Sequence, residues 1–178
     1  MQDEESLVLR AKERDEAALT QLYEENFDKI YRYIVLKIGD RTEAEDMTQQ
    51  VFLKAFKSIS GYRSKGSPFS SWLFRIAHNQ VVDHWRKKSK RATVPLEETL
   101  VGSSNSNPGS DVERKMDIEN LVAATKRLTG LQQEVVSLRF AGGLSVAQVA
   151  RLMGKSEGAI KALQHSAIVS LRKMLATG

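Results

Sequence analysis

Lys161, Gln164, His165 and Ile168 stand at i, i+3, i+4 and i+7 near the end of a 178-residue chain. That spacing puts all four on one face of a helix, where cationic and amide side chains can meet base edges in a DNA major groove. The residues before them supply the scaffold such a helix needs. Counting from Val146, the residues at positions 4, 5, 9, 15 and 18 are Val149, Ala150, Gly154, Ile160 and Leu163. This is the pattern of a helix-turn-helix: Ala150 lets two helices cross closely, Gly154 takes the positive φ of the turn, and the three larger residues fill the inner face. Ser145 and Gln148 form an S-x-x-Q capping box at the start of the first helix. Arg139, Lys155 and Arg172 are placed to hold phosphates on either side.

A second constellation lies between residues 51 and 91. It holds 10 Lys/Arg against 1 Asp and seven of the twelve aromatic residues, Phe52, Phe56, Tyr62, Phe69, Trp72, Phe74 and Trp85. Rings stack on any base and cations follow the backbone, so this mixture suits unpaired nucleic acid. Helical spacing assigns Trp72, Ile76, Val82 and the alkyl part of Trp85 mainly to packing. Tyr62 is the better stacking candidate. It opens the Gly/Pro-punctuated loop from Gly61 to Phe69, where Arg63 and Lys65 add charge and irregular backbone can pocket an extruded base. His78, Asp83 and His84 raise an enzyme or metal reading, but His78 and His84 are six residues apart, roughly 240 degrees around a helix. No catalytic set, metal or cofactor is expected.

These groups need helices to position them, and the chain reads as all-α. Leu7, Leu19, Leu22, Tyr23, Phe27, Ile30, Ile34 and Ile38 recur near a 3.6-residue period, with no sustained alternation. Helices are expected near 4–13, 15–39, 42–58 and 70–89, with Asp15, Thr42 and Ser70 as N-caps. Others follow from Asp111 to about Leu128 and near 131–140, 146–153 and 157–176, punctuated by Gly142, Gly143 and Gly154. The uncharged stretch VGSSNSNPGS, Val101 to Ser110, breaks the composition and reads as a flexible linker. Two small helical domains result.

Charge follows the same division: the balance is −6 over residues 1–50, +9 over 51–91, −4 over 92–125 and +6 over 126–178. Two basic blocks separated by an acidic strip make the electrostatic footprint of nucleic-acid binding. Without cysteine there is no disulfide, thiolate zinc site or thiol switch. Asp3, Glu4 and Glu5 stand where a secretory signal needs basic residues, and the longest apolar run, Tyr33 to Leu36, cannot span a bilayer. A soluble, untargeted, cytoplasmic chain without membrane insertion is expected.

With these residues in place, three blocks resemble the extracytoplasmic-function (ECF) sigma factors of the sigma-70 superfamily, in that family's order. AEDMTQQVFLKAF, residues 44–56, is similar to the polymerase-binding helix of region 2. FSSWLFRIAHNQVVDHWRKKSKR, residues 69–91, is similar to the segment that melts and reads the minus-ten element. LTGLQQEVVSLRFAGGLSVAQVARLMGKSEGAIKALQHSAI, residues 128–168, resembles region 4, which reads the minus-thirty-five element. A plain helix-turn-helix regulator would explain residues 126–178 but leave the aromatic-basic block unused.

The resemblance implies region 2 over residues 1–91, an acidic linker over 92–116 and region 4 over 117–178. Its implied partners are core RNA polymerase, through the clamp helices and flap of the large subunits, promoter DNA and an anti-sigma factor. Asp46, Gln49, Gln50 and Lys54 would face polymerase, with Gln50 where a glutamate is more usual. Tyr62, Arg63, Lys65, Asn79, Arg86 and Lys87 would serve the minus-ten element, Asn79 lining the pocket for a flipped base. Arg139, Lys155, Ser156, Lys161, His165 and Arg172 would serve the minus-thirty-five element. The family's Lys-Ser-Arg-Leu-His-Arg run is here Lys161, Ala162, Leu163, Gln164, His165 and Ser166, so two arginines are missing and fewer phosphate contacts are expected. The connector would thread through polymerase, its Glu97, Glu98, Asp111 and Glu113 suiting a channel built for phosphates or serving only as a tether.

Overall fold

The computed structural model describes residues 3–64, 66–91 and 111–176. Among them are eight α-helices and no strand: α1 (Glu4–Lys12), α2 (Glu16–Ile38), α3 (Arg41–Ser58), α4 (Phe69–Arg91), α5 (Asp111–Lys126), α6 (Gly130–Val136), α7 (Val146–Met153) and α8 (Glu157–Ala176). A 3-10 turn, Ile59–Gly61, follows α3, and a π turn, Ser137–Ala141, extends α6. Linker residues 92–110, including Glu97 and Glu98, lie outside the described residues, whereas 111–116 form the first turns of α5.

Two of the three expected caps move. Asp15 accepts from the Ala17 amide at 3.0 Å and starts α2 as expected. Gly39 then ends α2 in the left-handed region, φ 83°, so Asp40 becomes the first extended residue. Its carboxylate accepts from the Glu43 amide at 2.9 Å and takes the role expected of Thr42. At α4 the helix already includes Phe69, whose N–H donates to the Glu4 carboxylate of α1 at 3.3 Å, so a residue 65 positions away does what Ser70 was expected to do.

The long helix α2 runs through the core, burying Leu22, Ile30, Tyr33, Ile34 and Ile38 against Val51 and Phe52 of α3 and Leu73, Phe74 and Val81 of α4. Tyr23, Phe27, Phe52 and Phe56 form a run of ring contacts beneath α3, with centroids 4.9–6.2 Å apart. The second domain is docked on the first. Val135, Leu138, Leu144, Val149, Ala150 and Ile160 share this core, and a smaller cluster joins Leu36 to Val122 and Ala141. Gly142 marks a close approach: a Cβ there would lie 2.7 Å from the Phe74 ring.

The docked surface encloses a polar group that periodicity alone does not announce. Glu134 of α6 is 7% exposed. Its Oε1 accepts from the Tyr33 hydroxyl at 2.7 Å and lies 3.2 Å from His78 Nδ1, while Oε2 pairs with Lys37. Burial pushes the carboxyl pKa up, but the His78 hydrogen bond, the Lys37 charge and the bonds from Lys37 and Tyr33 outweigh it and hold it at about 2. Burial together with the Glu134 charge pushes the Tyr33 phenol well above its usual value.

A depressed carboxylate stabilises the docked fold fully above its ordinary pKa of 4.5 and loses that contribution as pH falls toward about 2. The contribution is about 3 kcal/mol. Urea melts across this window will show a wild-type stability loss that Glu134→Gln lacks. Equal pH slopes in the two proteins would show that Glu134 does not carry it.

Candidate polymerase and nucleic-acid interface

Three exposed stripes lie on three different helices. On α3, burial of Ala44, Met47, Val51 and Ala55 turns Asp46, Gln49, Gln50 and Lys54 to solvent along one line. Gln49 donates to the Tyr23 hydroxyl at 2.9 Å. Lys54 donates to Gln80 Oε1 at 2.6 Å, and the amide of Gln80 donates to Gln50, which ties the stripe to α4. Leu53, 61% exposed amid these polar groups, is an addition the sequence reading did not single out. Its signal is an apolar side chain at i+7 from Asp46, on the polar side of an amphipathic helix.

On α4, Arg75, Asn79, Val82 and Arg86 share an exposed stripe at i, i+4, i+7 and i+11. Lys87 is also exposed, and Arg86 pairs with Asp83 at 3.6 Å. Val82 and Trp85, expected to pack, are each 38% exposed, and Lys88 Nζ stands 5.1 Å from the Trp85 ring centre. Arg75 is a cation the sequence reading passed over.

The stacking role expected of Tyr62 is corrected by its burial. It is 8% exposed, edge-on to Phe69 at 5.5 Å and 4.9 Å from Trp72. A ring ending a 3-10 turn beside two other aromatics gains more by closing that cluster than by facing water. Arg63 is exposed, and Lys65 lies outside the described residues. Beside the loop is a cavity of about 170 Å³ lined by Tyr62, Arg63, Ser71 and Arg75, with Gln148 and Arg151 of α7 on its far side.

In the second domain the helix-turn-helix forms as its spacing predicts. Ser145 and Gln148 exchange both capping bonds, at 3.2 and 2.8 Å, and Gly154 turns the chain at φ 65°. Lys155, Lys161, His165 and Arg172 are exposed. Gln164 and Ile168 are instead half-buried, so the solvent stripe of α8 is Lys161, Ala162, His165, Val169 and Arg172. Arg139 is a staple inside the domain: Nε donates to Gln164 Oε1 at 2.9 Å and Nη1 to the Leu144 carbonyl at 2.7 Å. Ser156 Oγ accepts from the Ala159 amide at 3.1 Å and caps α8.

His78 belongs to the Glu134 cluster and His84 pairs with Glu43 at 3.1 Å, so the two point into different surroundings. Among the described residues no three metal-ligating side chains converge, and no helix is long and apolar enough to cross a membrane.

Residues 22–91 match the family model Sigma-70 region 2, and residues 124–173 match Sigma-70, region 4. The ECF RNA polymerase sigma factor BldN of Streptomyces coelicolor is 40% identical over 170 residues, covering 95% of this chain and 64% of BldN. This chain therefore spans a little under two thirds of that relative's length. The ECF RNA polymerase sigma factor SigL of Mycobacterium tuberculosis is 30% identical over 161 residues, 90% of each chain. Among solved structures, CnrH in complex with the cytosolic domain of CnrY shares the fold, with TM-score 0.73, 19% identity and 96% of both chains covered. So does the sigma factor RpoE of Bartonella quintana in complex with the anti-sigma factor NepR, with TM-score 0.69, 22% identity, and 88% of this chain and 96% of that one covered.

Proposed function

The chain belongs to the ECF RNA polymerase sigma factors, and from that premise we propose that it binds core RNA polymerase through the outer face of α3 and directs initiation at promoters read by α4 and α8. The supporting observation is that regions 2 and 4, in family order, each present an exposed polar or basic stripe on the helix whose residues carry the resemblance.

In this reading Leu53 is the apolar anchor of the polymerase contact, ringed by Asp46, Gln49, Gln50 and Lys54. The basic end of α4, with Arg86 and Lys87, follows the non-template strand, while Arg75 lines the loop cavity where an unpaired base would enter and Asn79 stands one turn further along the same exposed stripe. The exposed face of α8 enters the major groove with Lys161 and His165 toward base edges, and Lys155 and Arg172 hold phosphates. The domains are 1–91 and 117–178, joined by 92–116. The chain supplies recognition and polymerase supplies the chemistry, so it is not itself an enzyme. It works in the cytoplasm, and an anti-sigma factor is its inferred regulatory partner, since CnrH and RpoE are each solved with such a chain or a cytosolic fragment bound.

Run-off transcription with core polymerase on genomic fragments tests the whole reading. Transcripts should start downstream of a shared pair of elements, and no stimulation over core alone would refute it. Asn79→Ala should weaken discrimination at one minus-ten position by about 1–3 kcal/mol. Start-site selection from a randomised minus-ten library measures this, and an unchanged preference at every position would remove Asn79 from base reading.

A further inference from the structure

Three arginines line the open cavity between the loop after Tyr62 and α7: Arg63 from the loop, Arg75 from α4 and Arg151 from α7. Among the described residues none of them is in an ion pair, and Arg151 donates only to Ser67 Oγ, at 3.3 Å. No carboxylate lines the cavity; Glu4, which accepts from the Phe69 amide nearby, is not on its wall. Guanidinium groups repel one another, so three of them gathered without a counter-charge favour an anion from outside the chain. The Ser71 hydroxyl leads to the same conclusion: it lines the cavity, is buried and has no hydrogen-bond partner among the described residues. The first turn of α4 adds the positive end of its dipole.

Size narrows the class of ligand. At about 170 Å³ the cavity far exceeds the roughly 10–15 Å³ that one water needs, yet falls short of the roughly 300 Å³ at which pockets begin to hold a drug-sized molecule. We propose that it binds the terminal phosphate of a small phosphorylated molecule, whose remainder passes out through the open side. Arg63, Arg75 and Arg151 hold the phosphate oxygens in the paired N–H geometry that a guanidinium makes with phosphate, and the Ser67 and Ser71 hydroxyls donate to them. A terminal phosphate carries about −1.5 to −2 at neutral pH, against a single charge on a nucleic-acid backbone phosphate, so three cations favour the former. Such a ligand fills the cavity proposed for an unpaired base; that consequence rests on the minus-ten reading, whereas the binding itself does not.

Isothermal titration calorimetry of the full chain with pyrophosphate, without polymerase or DNA, tests the site. Wild type should bind one pyrophosphate per chain. Arg151→Gln keeps a donor for Ser67 but removes the charge, and should weaken binding about tenfold or more. Lys29→Gln on α2 removes an exposed cation that lines no part of the cavity, and should leave binding unchanged. Ser71→Ala should weaken binding while the free chain melts no lower than wild type, because the group lost is an unpartnered hydroxyl; a serine with only a structural role would show the reverse. A thymidine dinucleotide without a terminal phosphate should bind at least about tenfold more weakly than pyrophosphate. No binding at millimolar pyrophosphate, equal losses in Arg151→Gln and Lys29→Gln, or equal affinity for the dinucleotide would each overturn the proposal. If pyrophosphate binds as expected but does not compete with a single-stranded minus-ten oligonucleotide, the site stands and the cavity's role in minus-ten reading falls.

Discussion

Asp46→Arg combined with Gln49→Glu will abolish co-purification with core RNA polymerase at moderate salt while leaving the fold intact. Both side chains lie on the exposed stripe of α3, so neither substitution empties the core, and surface changes of this kind stay within about 0.5 kcal/mol of folding stability. Gln49 now donates to the Tyr23 hydroxyl; a glutamate there can accept from the same hydroxyl, so the local contact survives with its polarity exchanged. The proposed contact with polymerase loses much more. A reversed charge and a new one, pressed against a surface complementary to the originals, cost about 2–5 kcal/mol, or upward of thirtyfold in affinity. Leu53→Ala provides an uncharged check on the same face, since truncating an anchor weakens binding without altering long-range attraction. Unchanged co-purification of the double variant would move the polymerase contact off α3.

Phe74→Ala carries the largest stability effect expected of a single substitution. The ring is fully buried, meets Tyr33 edge-on at 5.6 Å and fills the space that Gly142 leaves open. Truncation removes its apolar burial and leaves a hole among α2, α4 and the π turn, at a cost of about 3–5 kcal/mol. Chemical denaturation will show it as a lower midpoint. A loss below about 1 kcal/mol would mean that the second domain settles into the vacated space.

The elements were legible because their signals are local. The spacing of Leu22, Ile30 and Ile34 predicts α2, the Ser145/Gln148 box predicts the start of α7, and Gly154 predicts its end, all within one or two turns of chain. What failed was set by partners distant in sequence. Ser70 is not needed as a cap because Glu4 reaches Phe69, and Tyr62 leaves the surface because Phe69 and Trp72 are there to receive it. Arg139 has the composition of a phosphate ligand, but Gln164, 25 residues on, engages it. Glu134 sits in an ordinary amphipathic turn, and only docking of the first domain makes it a buried ion. Periodicity reports that a face is polar; whether water or another domain covers that face is a tertiary fact.

Both tryptophans of the chain lie on α4, thirteen residues and therefore about 20 Å apart. Their surroundings differ. Trp72 is half-buried among Tyr62 and Phe69 at the loop, whereas Trp85 is 38% exposed beside Lys88 at the basic end. The native chain thus carries two optical reporters on one rod, one emitting from an apolar cage and one from near-water. In Trp85→Phe the remaining emission comes from the loop alone, so the strand binding proposed for this helix can be tested there by quenching. In Trp72→Phe the same titration registers only the basic end of the helix, so for the proposed strand path the order in which the two signals change would give its direction.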